Sequence, residues 1–321
     1  MTPSIIKFVV RRVLLGLVTL LVVSMLIFAI TQAFPSDPAE SILGREATPE
    51  AIQALRAEFG LDKPLFTQYT NWLTGILTGD LGTSFATSTP VGDYISPRVG
   101  ASFFLLLIAA VGSIPLSIIV GANAALRRDR KFDTTTSLVS LILAAMPEFV
   151  VGTILTIIFS TTIWQALPAV TYLEVGAPPW SDISGLVLPV LTLIIAVTPY
   201  VSRVMRAAMV EVLESDYVEM ARLKGIDERT VLWRHAMPNA VGPAFQVIAL
   251  NLAYLAGGVI IVERLFNFPG IGSALADAVR SRDLPVIQFL ALVIAAVYVL
   301  TNLLADIGTV LVTPRLRTRL K

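Results

Sequence analysis

The sequence predicts an all-α membrane protein of six transmembrane helices, with an extracytoplasmic helical insertion between the first two and a cytoplasmic helical segment between the fourth and fifth. Three observations predict it. Apolar runs recur at 13–30, 101–126, 136–163, 186–207, 240–262 and 286–310, each close to the roughly 20 residues that cross a hydrocarbon layer of about 30 Å as a helix. The 321 residues are 55% hydrophobic and 15% charged, with a mean hydropathy of +0.78, outside the range of soluble domains. The basic residues also alternate in density from loop to loop.

The first run follows Lys7, Arg11 and Arg12, which is also how a secretory signal begins. It is longer than a signal core, and no small-x-small cleavage site follows before Pro35. Residues 1–31 are therefore expected to form a tail and an uncleaved first span. With the N-terminus inside, 17 of the 24 Lys and Arg fall on the cytoplasmic side: the first three, then Arg127, Arg128, Arg130 and Lys131, six between Arg203 and Arg234, and Arg315, Arg317, Arg319 and Lys321. Arg45, Arg56, Lys63, Arg98, Arg264, Arg280 and Arg282 fall outside. Both termini are expected in the cytoplasm.

Residues 32–100 are too long for a bare linker. Thr48-Pro49-Glu50 ahead of Ile52, Leu55 and Phe59 predicts an N-capped amphipathic helix stopped by Gly60. Phe66, Tyr69, Trp72, Leu73 and Ile76 predict a second helix lying against the membrane surface.

The five-helix core, 101–310, carries prolines at 115, 147, 189, 199 and 243, tolerated in membrane helices where neighbours satisfy the freed carbonyls. Glu148 follows Pro147 near the middle of the third expected span, where an ionisable group needs a partner or water. It is expected either to line a translocation path or to pair within the bundle. Asp306 and Asn302, near the inner end of the last span, are expected to make interhelix contacts. Residues 311–321 read as a basic cytoplasmic tail.

The loop 208–239 is the most informative segment. Asp216 with Glu219 resembles a capping box, a short helix over 219–224 is expected to end at Gly225 in left-handed geometry, and Asp227 is placed to cap a second helix running to Ala236. Tyr217, Ala221 and Leu223 are expected on one exposed side. His235, the single histidine, reads as a packing or surface residue.

In this loop the chain resembles the permeases of ABC importers, whose pattern is Glu-Ala-Ala, three residues, Gly, nine residues, Ile-x-Leu-Pro. Glu219, Ala221, Gly225 and Pro238 fall on it, while Met220, His235 and Met237 replace its second Ala, Ile and Leu. The resemblance implies a coupling helix, with Tyr217, Glu219, Ala221, Gly225 and Pro238 engaging an ATPase. Further segments are similar to the B-type permeases of oligopeptide, dipeptide and nickel importers: Phe59 to Leu65, Gln68-Tyr69, Gly79 to Phe85, Arg234 to Ala236 with Pro238-Asn239, Val262-Glu263 leading to Phe268-Pro269-Gly270-Ile-Gly272, and Arg282 to Pro285. That branch usually ends in Asp-Pro-Arg; here Thr313-Pro314-Arg315 stands in its place.

What the resemblance implies is half of a translocation pore for di- or oligopeptides, with nickel chelates, glutathione or oligosaccharides as other cargoes. Its implied partners are a second permease in a heterodimer, two ATP-binding subunits, an extracytoplasmic solute-binding protein and membrane lipid. No nucleic acid, cofactor or metal is implied. Independently of it, the chain has no cysteine, which excludes disulfides, Cys-ligated metals and thiol nucleophiles. Phe268 to Gly272 lacks the Lys-Ser/Thr of a phosphate loop, and no other Walker motif occurs, so ATP hydrolysis is expected in partner chains. A stand-alone secondary transporter would need more midplane carboxylates than Glu148 and Asp306; an intramembrane enzyme would need a catalytic constellation that the spans do not show.

Overall fold

The computed structural model describes residues 3–33, 38–43 and 47–312. Thirteen α-helices follow in order: α1 (Pro3–Gln32), α2 (Pro38–Leu43), α3 (Pro49–Glu58), α4 (Leu65–Thr78), α5 (Val91–Leu126), α6 (Lys131–Ala144), α7 (Glu148–Thr156), α8 (Ile183–Leu213), α9 (Asp216–Leu223), α10 (Glu228–Thr230), α11 (Met237–Leu265), α12 (Ile271–Ser281) and α13 (Leu284–Val312). Among the described residues there is no strand beyond one isolated bridge, Thr83 with Pro90. Arg45 and the tail 313–321 lie outside the described residues.

Four helices, α1, α5, α8 and α13, are long and apolar enough to cross a membrane, and the bent pair of α6 with the stretch from Glu148 to Thr161 makes a fifth if counted as one span. The expected count of six further requires α11, whose 29 residues reach about 43 Å at 1.5 Å per residue.

The expected third span, 136–163, is not one straight helix: its two halves meet at 106°. Pro147 has no N–H and biases Met146 away from helical geometry, and it stands as the extended N-cap of α7 (φ −60°, ψ 151°). The Tyr200 hydroxyl donates to the Ala144 carbonyl at 2.8 Å, satisfying a group the break leaves over. Pro115, Pro189 and Pro199, by contrast, stay inside continuous helices. Pro243 falls in α11, its side chain outside the described set.

The bundle is built on α5 against α8. Ala101, Leu105, Ala109, Ser113, Ser117, Gly121 and Ala125 recur every four residues and are all buried, one face of α5 made mostly of small side chains. Lipid gives no hydrophobic drive to bring helices together, and small residues let backbones approach closely enough for dispersion to do it. Leu188, Leu193, Val197 and Val201 of α8, Val151 and Leu155 of α7, and Leu255, Val259 and Val262 of α11 complete this core.

At the extracytoplasmic end α3 is capped as expected, the Thr48 hydroxyl accepting from Ala51 N at 3.3 Å, and the chain reverses at Gly60 (φ +64°). α4 packs on α1: Tyr69 and Trp72 lie against Phe28, ring centroids 5.4 and 6.1 Å away. Buried Asp283 ties the insertion to the α12–α13 corner, accepting from the Ser84 hydroxyl, Phe85 N at 3.0 Å and Ala86 N at 3.4 Å.

Glu263, fully buried at the end of α11, holds the adjoining corner. It accepts from the Ser102 hydroxyl of α5 and from Gly272 N (2.6 Å) and Ser273 N (3.4 Å) in the first turn of α12, where the helix dipole favours negative charge. Phe268 to Gly272 forms the expected tight turn, with Asn267 at φ +53° and Gly270 N donating to the Phe268 carbonyl at 2.8 Å.

At the cytoplasmic end Arg206 of α8 forks onto buried Asp133 of α6, Nε and Nη2 at 2.5 and 2.6 Å. The guanidinium holds the Asp133 carboxyl below the usual carboxylate range. Asp306 makes its expected interhelix contact, with Arg12 of α1 at 3.0 Å. The reading of Asn302 is corrected: its amide bonds the Tyr298 carbonyl of its own helix at 2.9 Å, because a side chain that can reach the carbonyl four residues back needs no neighbour.

Candidate functional site

The segment between α8 and α11 is two short helices braced on a small core of their own. The first helix starts one residue earlier than a cap at Asp216 would place it. Ser215 is the extended N-cap, and its hydroxyl turns back to the Val212 carbonyl rather than to α9, so the Asp216–Glu219 capping box is not formed. Both acids sit in the first turn instead, where they favour the helix dipole.

Gly225 ends the helix at φ +74°, donating to the Arg222 carbonyl at 2.9 Å, while Ile226 N reaches back to Ala221 at 3.3 Å. These are the reversed bonds of a left-handed helix end, which a residue without Cβ adopts at least cost. Asp227 then caps α10, accepting from Thr230 N at 3.0 Å, and its bonds to Thr230 hold its carboxyl below the usual range. The second helix does not stop at Ala236. Residues Val231–Ala236 form a π turn that runs directly into α11. Pro238 stands at the start of α11, and its missing N–H and its ring displace the regular ladder just ahead of it.

Burial reverses one expectation. Ala221 is not on the exposed face: with Val218 and Val231 it forms the segment's own buried core, flanked by Val212 and Ile226. Its small side chain serves packing of α9 on the turn that follows. The exposed face carries Tyr217, Met220 and Leu223, the last 75% exposed, and Trp233, within the π turn, is 60% exposed. Glu219 is exposed as well. Tyr217, Met220 and Leu223 recur at three-residue spacing, one strip of a short helix. An apolar strip of this kind, rimmed by charge and facing water, marks a protein contact surface. Met220 and Trp233 were legible in the sequence only as departures from a pattern or as loop residues; nothing local says which side of α9 faces inward.

An ion pair of Arg128 with Glu214 ties the base of the segment to the α5–α6 loop, and Arg222 of α9 pairs with Glu228 of α10 at 2.7 Å within it. Both are exposed and contribute little alone. Rigidity comes from the continuous run α10–π turn–α11 and from Ala236, Ala240 and Ala244 packed on Ala122, Ala125, Met205 and Met209.

Glu148 lies elsewhere, 7% exposed at the first residue of α7. Tyr254 of α11 lies within electrostatic reach of it, and both line a cavity of about 680 Å³ between α1, α11 and α13. The structure thus places Glu148 and the cytoplasmic segment at separate stations, linked by α11.

The described residues form a helical bundle with an exposed pair of short helices joined to the long helix α11. The chain belongs to the family of binding-protein-dependent transport system inner membrane components, whose model matches residues 113–318, and the N-terminal model of the same membrane components matches residues 5–106. It is therefore an integral inner-membrane permease component of an ABC importer, a class that works with ATP-binding and substrate-binding partners. It is 34% identical over 311 residues to a "Probable peptide ABC transporter permease protein" of Sinorhizobium fredii, covering 97% of this chain and 99% of that one. It is 36% identical over 313 residues to a glutathione transport system permease protein of Escherichia coli O6:H1, with the same two coverages.

Proposed function

We propose that this chain is the B-type permease of a peptide importer. It supplies six spans with both termini in the cytoplasm, and half of a pore completed by a second, distinct permease. Two ATP-binding subunits seat on the cytoplasmic faces, this chain presenting Tyr217, Met220 and Leu223 with Glu219, while Gly225 and Pro238 set how α9 and α11 are joined. A solute-binding protein delivers cargo from outside. The observation that carries this reading is the exposed strip of α9, backed by a core shared with Val231 of the π turn that runs into α11. The charge ledger supports the orientation, and the peptide relative supports the cargo. Glutathione is the second cargo to weigh, on the equally close glutathione relative.

Gly225 provides the test. No neighbour lies within 4 Å of where its Cβ would be, so substitution acts through φ alone. A β-branched residue held in left-handed geometry costs about 1–2 kcal/mol, whereas asparagine tolerates it. Gly225→Val is expected to cut ATP-driven uptake by the reconstituted complex about tenfold or more and to weaken ATPase assembly, with Gly225→Asn close to wild type. Normal assembly and uptake in the valine variant would overturn the coupling role.

A further inference from the structure

We infer that Glu148 and Tyr254 form a subsite for a protonated amine, the ammonium group of the cargo. This rests on the peptide reading and names the part of the cargo that is held.

The subsite sits where the third span is broken. Irregular backbone at membrane depth occurs where it is buried in protein or lines a water-filled path, and broken helices with polar groups at the break mark substrate sites in other transporters. Here the break brings an acid to the surface of a cavity otherwise almost wholly apolar, lined by Val23, Ile27, Ile261 and Ile294 among others. Gly258 of α11 lets the acid lie against that helix, since a Cβ there would stand 3.0 Å from Glu148 Oε1. Gly257 beside it has open space in front.

A carboxylate offers about four acceptor positions. Glu148 shares the cavity lining with Tyr254, which lies within electrostatic reach of it. Among the described residues it makes no ion pair, and no Lys, Arg or His lines the cavity. Its neutral neighbours leave acceptor capacity that a cation would fill. Tyr254 is 51% exposed, a large aromatic ring that lines the cavity with the acid and is open to an incoming group, and an ammonium group is attracted both by the acid and by ring faces. A small ammonium with three donors fits this set; an anionic or acyl-capped terminus does not.

Two measurements test it, on the complete transporter in lipid. In the first, a carbodiimide labels exposed carboxyls and modification at Glu148 is read by peptide mass mapping. n-Butylammonium is expected to slow labelling at Glu148 about tenfold and n-butanol to leave it unchanged; Tyr254→Leu, on the open side of α11, should weaken that protection. Equal protection by both probes, or by neither, would overturn the subsite, the second outcome also being what a basic side chain of a partner permease already seated on Glu148 would give. In the second, uptake of trialanine should fall about tenfold in Glu148→Gln and less in Tyr254→Phe, which keeps the ring; unchanged uptake in both would count against the subsite. If the wild-type complex takes up no trialanine while butylammonium still protects Glu148, the peptide reading fails and the subsite stands.

Discussion

Replacing Gly272 by valine is expected to destabilise the protein by at least about 3 kcal/mol and to prevent normal accumulation in the membrane. A Cβ at this position would fall onto the Ile260 backbone and stand 2.9 Å from both Ile260 Cβ and the Glu263 carboxyl. None of these can move aside, because Ile260 and Glu263 belong to the body of α11. Relief requires lifting α12 away, which strips the Gly272 and Ser273 amides from a fully buried carboxyl. Overpacking alone costs about 1–3 kcal/mol, and an acid left buried with one of its three partners adds a comparable amount. Gly242→Val, in α11, is the control, since nothing lies within 4 Å of that site. Thermal unfolding of the two purified variants should separate them widely; equal stability would show that the α11–α12 corner is not packed as described.

The second large effect lies at the opposite face. Asp133→Ala leaves the Arg206 guanidinium, 30% exposed, without its bidentate partner at the α6–α8 contact. Breaking a buried pair costs about 3–5 kcal/mol; partial access to water reduces this to about 2–3. Asp133→Ala combined with Arg206→Met should recover most of the loss, because an apolar replacement of both partners strands no charge. The same pair predicts a pH dependence. The folded-state Asp133 carboxyl titrates below its unfolded value, so its contribution is fully present above about pH 4 and is lost as pH falls through the lowered value. Unfolding of the wild type should therefore steepen in acid relative to the double variant, and parallel curves would contradict the assignment.

The parts of this structure legible in the sequence are those set by local chemistry. Thr48, Gly60, Gly225 and Asp227 act where they stand, through caps and backbone geometry that involve residues within four positions. What was not legible depends on residues far apart. Pro147 breaks its span and Pro199 does not, although both precede or occupy apolar runs; the difference includes Tyr200, 56 residues from the carbonyl it satisfies. Ala221 looked like a docking residue because its spacing matches a loop pattern, yet Val231, beyond the turn, buries it. The cap at Ser215 rather than Asp216 is the one-residue uncertainty inherent in helix ends. Asp133 with Arg206, and Ser102 with Glu263, are separated by 73 and 161 residues, and no local signal pairs them. Glu263 stood inside a recognised motif without a role; only the approach of α12 gives it one. The small-residue repeat of α5 was present throughout as a spacing of four, masked by a run apolar on every side.

On the proposed function, α9 is the surface through which ATP-binding subunits drive this permease. The chain has no cysteine, so Leu223→Cys introduces a single thiol on the most exposed residue of the strip. Leu77→Cys, equally exposed at 78% on α4 of the insertion, is the matched control. In membranes carrying the whole transporter, a short thiol-directed photo-crosslinker at position 223 is expected to join this chain to the ATP-binding subunit, with none of that product from position 77. Absence of the adduct from position 223, or equal yield from both positions, would contradict the account.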